Sequence, residues 1–125
     1  MSSPNNYNNE HGSTIIKLRE KLLKAEKLSQ NHQFDEAIEI YEEVLKIGGF
    51  FEYTCLRGLY SCYQNQNNTK KTIEVVKRII NSCEENDIPR LSFWKNELKL
   101  NEKKIKRDEK KLKRQQEEWK KMKPI

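Results

Sequence analysis

The chain has 125 residues, enough for one small domain and too few for a multidomain enzyme. It contains 25 Lys and Arg against 19 Asp and Glu residues, a net charge of +6 at pH 7. No segment approaches the roughly 18 consecutive apolar residues of a transmembrane helix, and the first residues lack a signal-peptide pattern. We therefore expect an intracellular protein, cytoplasmic or nuclear, that does not insert into membranes.

The positive charge is concentrated near the C-terminus. Residues 1–88 contain 11 basic and 13 acidic side chains, a net charge of −2. Residues 89–125 contain 14 basic and 6 acidic side chains, a net charge of +8. A basic excess confined to one segment indicates a distinct charged surface, because a uniformly basic domain would distribute it along the whole chain.

The first helix follows a polar N-terminal segment. Residues 1–12 are rich in Asn, Ser, Pro and Gly and offer little to bury, so we expect a disordered polar leader. Apolar residues then recur at intervals of three and four from Ile15 to Leu28, which predicts an amphipathic helix. Its apolar stripe must pack against another element.

The second and third helices are separated by a glycine pair. The second begins near Phe34 and is expected to end at Gly48-Gly49, where a left-handed residue closes a helix at low cost. The third is predicted from Phe50 to Gln64.

Two further helices complete the predicted fold. Thr69 is expected to cap a fourth helix that extends to about Glu85. Pro89 suits the first turn of a fifth helix, where its missing N–H costs nothing, and this helix extends to Met122. Because no segment alternates with period two for the length of a strand, we predict an all-α fold of helix hairpins joined by short polar turns.

Similarity at an offset of 35 residues points to a repeat: Ala37 and Tyr41 correspond to Thr72 and Val76. The stretch NHQFDEAIEIYEEVLKI resembles the second half of a tetratricopeptide repeat, which sets a small residue four before an aromatic. The resemblance covers roughly residues 15–98. It implies a domain of two antiparallel helix hairpins over residues 13–98. A long C-terminal capping helix then continues as a basic rod over residues 99–125.

The resemblance also implies a function. Domains of this family hold a helix or extended peptide of a protein partner in a concave groove, so the leading hypothesis is a non-enzymatic adaptor or small complex subunit. The set of Lys and Asn residues by which some of these domains hold a chaperone's C-terminal carboxylate is not matched here. The predicted groove residues are Arg19, Leu22, Glu26, Arg57, Ser61 and Gln64.

The C-terminal helix offers a second binding surface. Eight cations fall within twelve residues, interrupted by Asp108 and Glu109. This density attracts phosphate groups and other anions, so the alternative hypothesis is an RNA- or ribosome-associated protein, and contact with an acidic protein is a related interpretation. A short nuclear-import signal and a solvated helix without a ligand are the other interpretations. The eight cations are Lys103, Lys104, Lys106, Arg107, Lys110, Lys111, Lys113 and Arg114.

The same helix has an apolar residue at every seventh position. The positions that would complete a coiled-coil seam carry Asn101, Asp108 and Gln115, which argues against a stable two-stranded coiled coil. The apolar residues with this spacing are Leu91, Leu98, Ile105, Leu112 and Trp119.

No residue pattern predicts catalysis, a cofactor or a metal. Cys55, Cys62 and Cys83 form no CxxC pair, and a zinc site that included His32 would need ligands from three separate segments. We interpret the three thiols as core or boundary residues. We therefore predict a protein that is not an enzyme and has no cofactor.

Overall fold

The computed structural model describes the backbone of residues 3–122 and the side chains of residues 12–122. Within this range the chain forms five helices and no strand, which confirms the predicted all-α class. The helices are α1 (Ser3–Gln30), α2 (Phe34–Ile47), α3 (Glu52–Asn65), α4 (Thr69–Ser82) and α5 (Ile88–Met122).

Helix α1 begins earlier than predicted. Residues 3–12 are helical, whereas residues 1–12 were expected to be a disordered leader; Met1 and Ser2 lie outside the described residues. Pro4 occupies the second helical position, where its missing N–H interrupts no hydrogen bond. Each residue added to an existing helix gains one hydrogen bond, so a helix nucleated by the packed residues can extend towards the N-terminus.

Helix α1 ends in a Schellman motif centred on His32. The N–H of Gln33 donates to the carbonyl of Leu28 at 2.8 Å, and the N–H of His32 donates to the carbonyl of Ser29 at 3.0 Å. His32 has a left-handed φ of 62°, a conformation in which His is enriched among non-glycine residues. The predicted polar break between the first two helices is therefore a tight turn.

The connection from α2 to α3 differs from the predicted one. Gly48 has φ 157° and ψ −175°, a region that glycine alone occupies readily, and it is not the left-handed helical residue that we expected. The left-handed residue is Phe51, with φ 61°. Because this conformation cannot continue into a right-handed helix, α3 begins at Glu52 and not at Phe50.

The predicted cap of α4 is also wrong by one residue. Asn68 is the N-cap, because its side-chain oxygen accepts a hydrogen bond from the N–H of Lys71 at 3.2 Å. Thr69, the predicted cap, is the first residue of the helix. An Asn side chain caps at least as well as Thr, and the left-handed Asn67 before it turns the chain into position.

The helices pack into two units, which divide the sequence between Asn67 and Asn68. In the first unit α2 packs against both α1 and α3, and α1 also contacts α3. In the second unit α4 packs against α5. The first half of α5 pairs with α4 and is continuous with the second half, and the predicted domain boundaries of 13–98 and 99–125 stay a prediction.

Small residues allow the helices of the first unit to approach closely. Ala25 of α1 and Ala37 of α2 are both completely buried. A Cβ atom built on Gly58 of α3 would lie 2.6 Å from both Cε atoms of the Tyr41 ring, which is too close for carbon atoms. The contact between α2 and α3 therefore requires glycine at position 58.

The second unit buries two polar side chains among apolar ones. Thr72 and Asn101 are both buried, beside apolar core residues such as Ile79 and Trp94. The Thr72 hydroxyl donates to the carbonyl of Asn68 at 2.9 Å, and the Asn101 amide donates to the carbonyl of Glu97 at 2.8 Å. Both polar groups are hydrogen-bonded within their own helices, which removes most of the cost of burying them.

The glycine contact gives a first prediction. In an unconstrained helix Gly→Ala stabilises by about 1 kcal/mol, whereas overpacking a core costs about 1–3 kcal/mol. We expect Gly58→Ala to lower the stability of the protein, because its methyl group would overlap the buried Tyr41 ring. Thermal and urea unfolding followed by circular dichroism measure the change.

Gly49→Ala is the matched control, since nothing lies within 4 Å of a Cβ atom at that position. An unchanged midpoint for Gly58→Ala, or one as high as that of the control, would show that α2 and α3 do not approach through this glycine.

Candidate functional site

The cations of α5 are arranged on one face. On α5, Lys103, Arg107, Lys110 and Arg114 follow one another at intervals of three and four residues, and Lys106 lies three after Lys103 and four before Lys110. This spacing places all five on the same side of the helix. We call these five residues the basic face. All five are exposed, and α5 is continuous through them, with 35 residues and a length of about 52 Å.

The basic face forms a shallow groove. Its first four cations line this groove together with Leu100, whose side chain is half exposed. Asp108 and Glu109 lie more than about 100° around the helix axis from the centre of the face. The acidic residues within the basic segment therefore do not interrupt the basic face.

The remaining three predicted cations flank the basic face. Lys111 and Lys113 are exposed at its two edges, and Lys104 is half-buried on one side. The structure thus brings all eight predicted cations onto one half of the helix, with five of them in the central row. The spacing of the cations in the sequence is enough to predict that they share one side of a helix. It does not predict the groove at Leu100.

A second stripe follows α5 on the side away from the basic face. Trp94 is 3% exposed, and Leu98 and Ile105 are half-buried, where α5 packs against α4. Every residue from 106 to 122 is exposed, and Trp119 is 68% exposed. We call this set the apolar stripe; it consists of Leu91, Trp94, Leu98, Ile105, Leu112 and Trp119.

The boundary of the exposed rod is a correction to the sequence prediction. The rod was expected to begin at residue 99, but Asn101 is only 8% exposed and Ile105 is half-buried. The buried part of α5 therefore extends about two turns beyond Leu98, where the tetratricopeptide resemblance ends. Asn101 was missed as a core residue because its side chain is polar.

The predicted groove of the first unit keeps five of its six residues at the surface. Leu22 is 9% exposed and belongs to the core, because it lies on the buried stripe of α1 with Leu18 and Ala25. Its place in the predicted groove was wrong. Arg57 is exposed, and its guanidinium carbon lies 5.7 Å from the centre of the Tyr53 ring, a cation–π distance.

The other groove residues give this surface a mixed character. Arg19, Glu26, Ser61 and Gln64 are all exposed, and they lie on α1 and α3, which contact each other. With Leu22 in the core, the predicted set offers a partner polar and charged groups but no apolar anchor. Such a surface lacks the buried hydrophobic centre that most of the binding energy of a protein interface comes from.

The buried thiols and phenol are not chemically activated. Burial raises the pKa of Cys55 to about 11, and burial raises that of Cys62, whose Sγ lies 3.8 Å from the Ser29 hydroxyl oxygen. Burial likewise raises the pKa of Tyr41 to about 12. These groups are protonated at neutral pH, so the thiols are poor nucleophiles.

Among the described side chains, those of residues 12–122, no group of three or more His, Cys, Asp or Glu is arranged to hold a metal ion. None of the described helices is long and apolar enough to cross a membrane. Comparison of the chain with protein-family models, with curated proteins and with solved structures finds no match. The tetratricopeptide resemblance therefore stays a prediction.

The boundary of the rod gives a second prediction. A chain truncated after Ile105 should unfold at nearly the same urea midpoint as the full chain, because every described residue beyond that point is exposed. A chain truncated after Leu98 should lose about 1–3 kcal/mol, because it lacks Asn101 and Ile105 from the contact with α4.

Urea unfolding of the three proteins, followed by circular dichroism, measures both effects, and the helical signal reports how many residues of helix are removed. If truncation after Ile105 instead destabilises the chain as much as truncation after Leu98, residues beyond Ile105 make stabilising contacts. The boundary of the exposed rod at Ile105 would then be wrong.

Proposed function

We propose that this protein is a non-enzymatic RNA-associated protein, and that the basic face of α5 binds the phosphodiester backbone of its RNA. The observation that supports the proposal best is the one-sided arrangement of Lys103, Lys106, Arg107, Lys110 and Arg114 on an exposed helix. Neutralising phosphates with such a row releases counterions, and this release drives sequence-independent binding.

The dimensions of the basic face fit a nucleic-acid backbone. Lys103 and Arg114 are separated by about 16 Å along α5. One strand of a DNA duplex presents a phosphate about every 3.4 Å along the duplex axis, so a backbone of similar spacing lying along this length of α5 offers about five phosphates, one for each cation. The long Lys and Arg side chains can each reach a phosphate without a change in the backbone of α5.

The composition of the basic face indicates which part of a nucleic acid it contacts. No aromatic side chain lies between Trp94 and Trp119, so bases have no platform on which to stack. Lys and Arg contacts to phosphates position a nucleic acid but carry no sequence information. We therefore expect binding that depends on salt and on backbone geometry but not on base sequence.

A third prediction tests this surface directly. The quadruple variant Lys103→Gln, Arg107→Gln, Lys110→Gln and Arg114→Gln removes four charges from the basic face. We expect the slope of log Kd against log salt, measured by fluorescence anisotropy with labelled RNA, to fall by about 3 to 4.

The control removes four exposed cations elsewhere: Lys17→Gln, Lys24→Gln, Lys27→Gln and Lys77→Gln. It has the same net charge as the basic-face variant. If the cations of the basic face bind the RNA, the control should keep the salt slope of the unmodified chain. Equal losses in the two variants, or no RNA binding by the unmodified chain at low salt, would contradict the proposal. If the labelled RNA is a duplex, a DNA duplex of the same sequence tests whether the A-form backbone of RNA is preferred.

A second candidate function is the protein adaptor that the resemblance implies. It is supported by the exposed polar surface of α1 and α3, where Arg19, Glu26, Arg57, Ser61 and Gln64 remain available to a partner. In this hypothesis the first unit binds an extended peptide through hydrogen bonds and charge, with little apolar burial.

The fourth prediction separates the adaptor from the RNA hypothesis. Arg19→Glu combined with Arg57→Glu reverses two charges of the predicted groove and leaves α5 intact. If the groove binds a protein partner, affinity capture from nuclease-treated extract should lose that partner with this variant and retain it with the quadruple basic-face variant. The opposite pattern would place the binding on α5.

A further inference from the structure

An exposed aromatic side chain lies in line with the basic face of α5. Phe93, Leu100, Arg107 and Arg114 follow one another at intervals of seven residues, which places them along one side of the helix. Phe93 is 54% exposed and Leu100 is 50% exposed. Leu100 also lines the groove that the cations form. The basic face therefore continues directly into an apolar pair on the same side of α5.

The core of the second unit holds the Phe93 ring in place. The centroid of this ring lies 5.0 Å from that of the buried Trp94 ring, and the two ring planes meet at 89°. Such an edge-to-face arrangement is a favourable contact between aromatic rings. Phe93 therefore has a fixed neighbour on one side, while more than half of the residue stays exposed to a ligand.

The charges around Phe93 indicate where a bound phosphate backbone ends. The exposed Lys99 extends the row of cations by one turn from the basic face towards Phe93. Glu97 lies beside Phe93 but towards the side of α5 that packs against α4, and it is half-buried. The connection before α5 carries the exposed Glu84 and Glu85, which repel phosphates. Phe93 therefore lies at the end of the surface that favours phosphates.

A ligand with phosphates and flat apolar rings matches both parts of this surface. Proteins that bind single strands combine a basic groove along the backbone with aromatic side chains on which bases stack. Nucleotides held along the basic face itself meet no aromatic ring, but a base beyond the last of these phosphates reaches Phe93. The bases of a duplex are already paired and stacked, so an unpaired nucleotide is needed to cover the ring.

A membrane surface fits these residues less well than a nucleic acid does. A helix that lies in the interface of a bilayer needs a wide apolar face. Phe93 and Leu100 form a single narrow line, and the cations of the basic face lie next to it. The apolar pair is therefore too small to anchor α5 in lipid.

We propose that Phe93 stacks on an unpaired base of the RNA whose phosphates lie on the basic face, so that the ligand is single-stranded RNA. This inference rests on the proposed function and adds the type of strand. Phe93 and Arg114 are separated by about 32 Å along α5, which corresponds to about nine nucleotides at a spacing of about 3.4 Å. Stacking on an aromatic ring tolerates every base, so this contact keeps the binding independent of base sequence.

The fifth prediction removes the aromatic ring and keeps an apolar side chain. We expect Phe93→Leu to weaken the binding of a labelled oligouridylate of about 12 nucleotides by about tenfold, measured by fluorescence anisotropy at low salt. The slope of log Kd against log salt should stay unchanged, because the variant removes no charge. The affinities for inorganic polyphosphate, which has no bases, and for an RNA duplex of about 30 base pairs should also stay unchanged.

Two further variants separate stacking from a structural role of the ring. Phe50→Leu removes another exposed phenylalanine, in the connection between α2 and α3, and should leave the affinity for the oligouridylate unchanged. Phe93→Trp restores an aromatic ring and should restore the affinity. Its tryptophan emission should also be quenched by the oligouridylate, and not by polyphosphate, beyond any change seen with the unmodified chain.

Three results would overturn the inference and leave the proposed function standing. They are an unchanged affinity of Phe93→Leu for the oligouridylate, an equal loss of its affinity for polyphosphate, and an equal loss of its affinity for the RNA duplex. Failure of the unmodified chain to bind any RNA at low salt would remove the proposed function and this inference together.

Vesicles that contain phosphatidylserine test the lipid alternative. We expect Phe93→Gln to weaken the binding of the oligouridylate and to leave any binding to these vesicles unchanged. Loss of vesicle binding with an unchanged affinity for the oligouridylate would assign the apolar pair to a membrane surface, against the inference.

Discussion

The difference in length between α4 and α5 is the constraint from which the exposed segment of α5 follows. A helix of 14 residues cannot cover one of 35, so about half of α5 projects without a tertiary partner among the described residues. Such a segment must stay helical through interactions between residues of the same helix. Acid-before-base pairs four residues apart, such as Glu109 with Lys113, contribute a few tenths of a kcal/mol each.

The basic face works against that local stability. Lys103 with Arg107, Lys106 with Lys110, and Lys110 with Arg114 are like-charged pairs four residues apart, and each destabilises a helix by about as much as an opposite pair stabilises it. A helix that needed only to be soluble would alternate the signs of its charges around the axis. The segregation of cations to one side therefore does not serve helix formation, and this supports the anionic ligand that we propose for the basic face.

The sequence predicted the existence and type of every helix, because apolar periodicity reports which face is buried. It failed where the structure depends on a single group without periodicity. Gly58 has no side chain to signal its contact with Tyr41, and the polar side chain of Asn101 gives no sign of its burial. Helix ends were also shifted, since Asn68 and Thr69 are both acceptable caps and only the observed hydrogen bond distinguishes them.

The apolar stripe of α5 has a covered part and an exposed part, and Asn101 lies near the end of the covered part. In the covered part its amide is buried and donates to the carbonyl of Glu97 at 2.8 Å, so a polar residue is accommodated there without an unpaired donor. Beyond Ile105 the stripe has only Leu112 and Trp119, bordered by charged and polar side chains. The exposed part therefore offers only a small apolar area, whereas the covered part is paired with α4, which a connection of five residues holds next to α5.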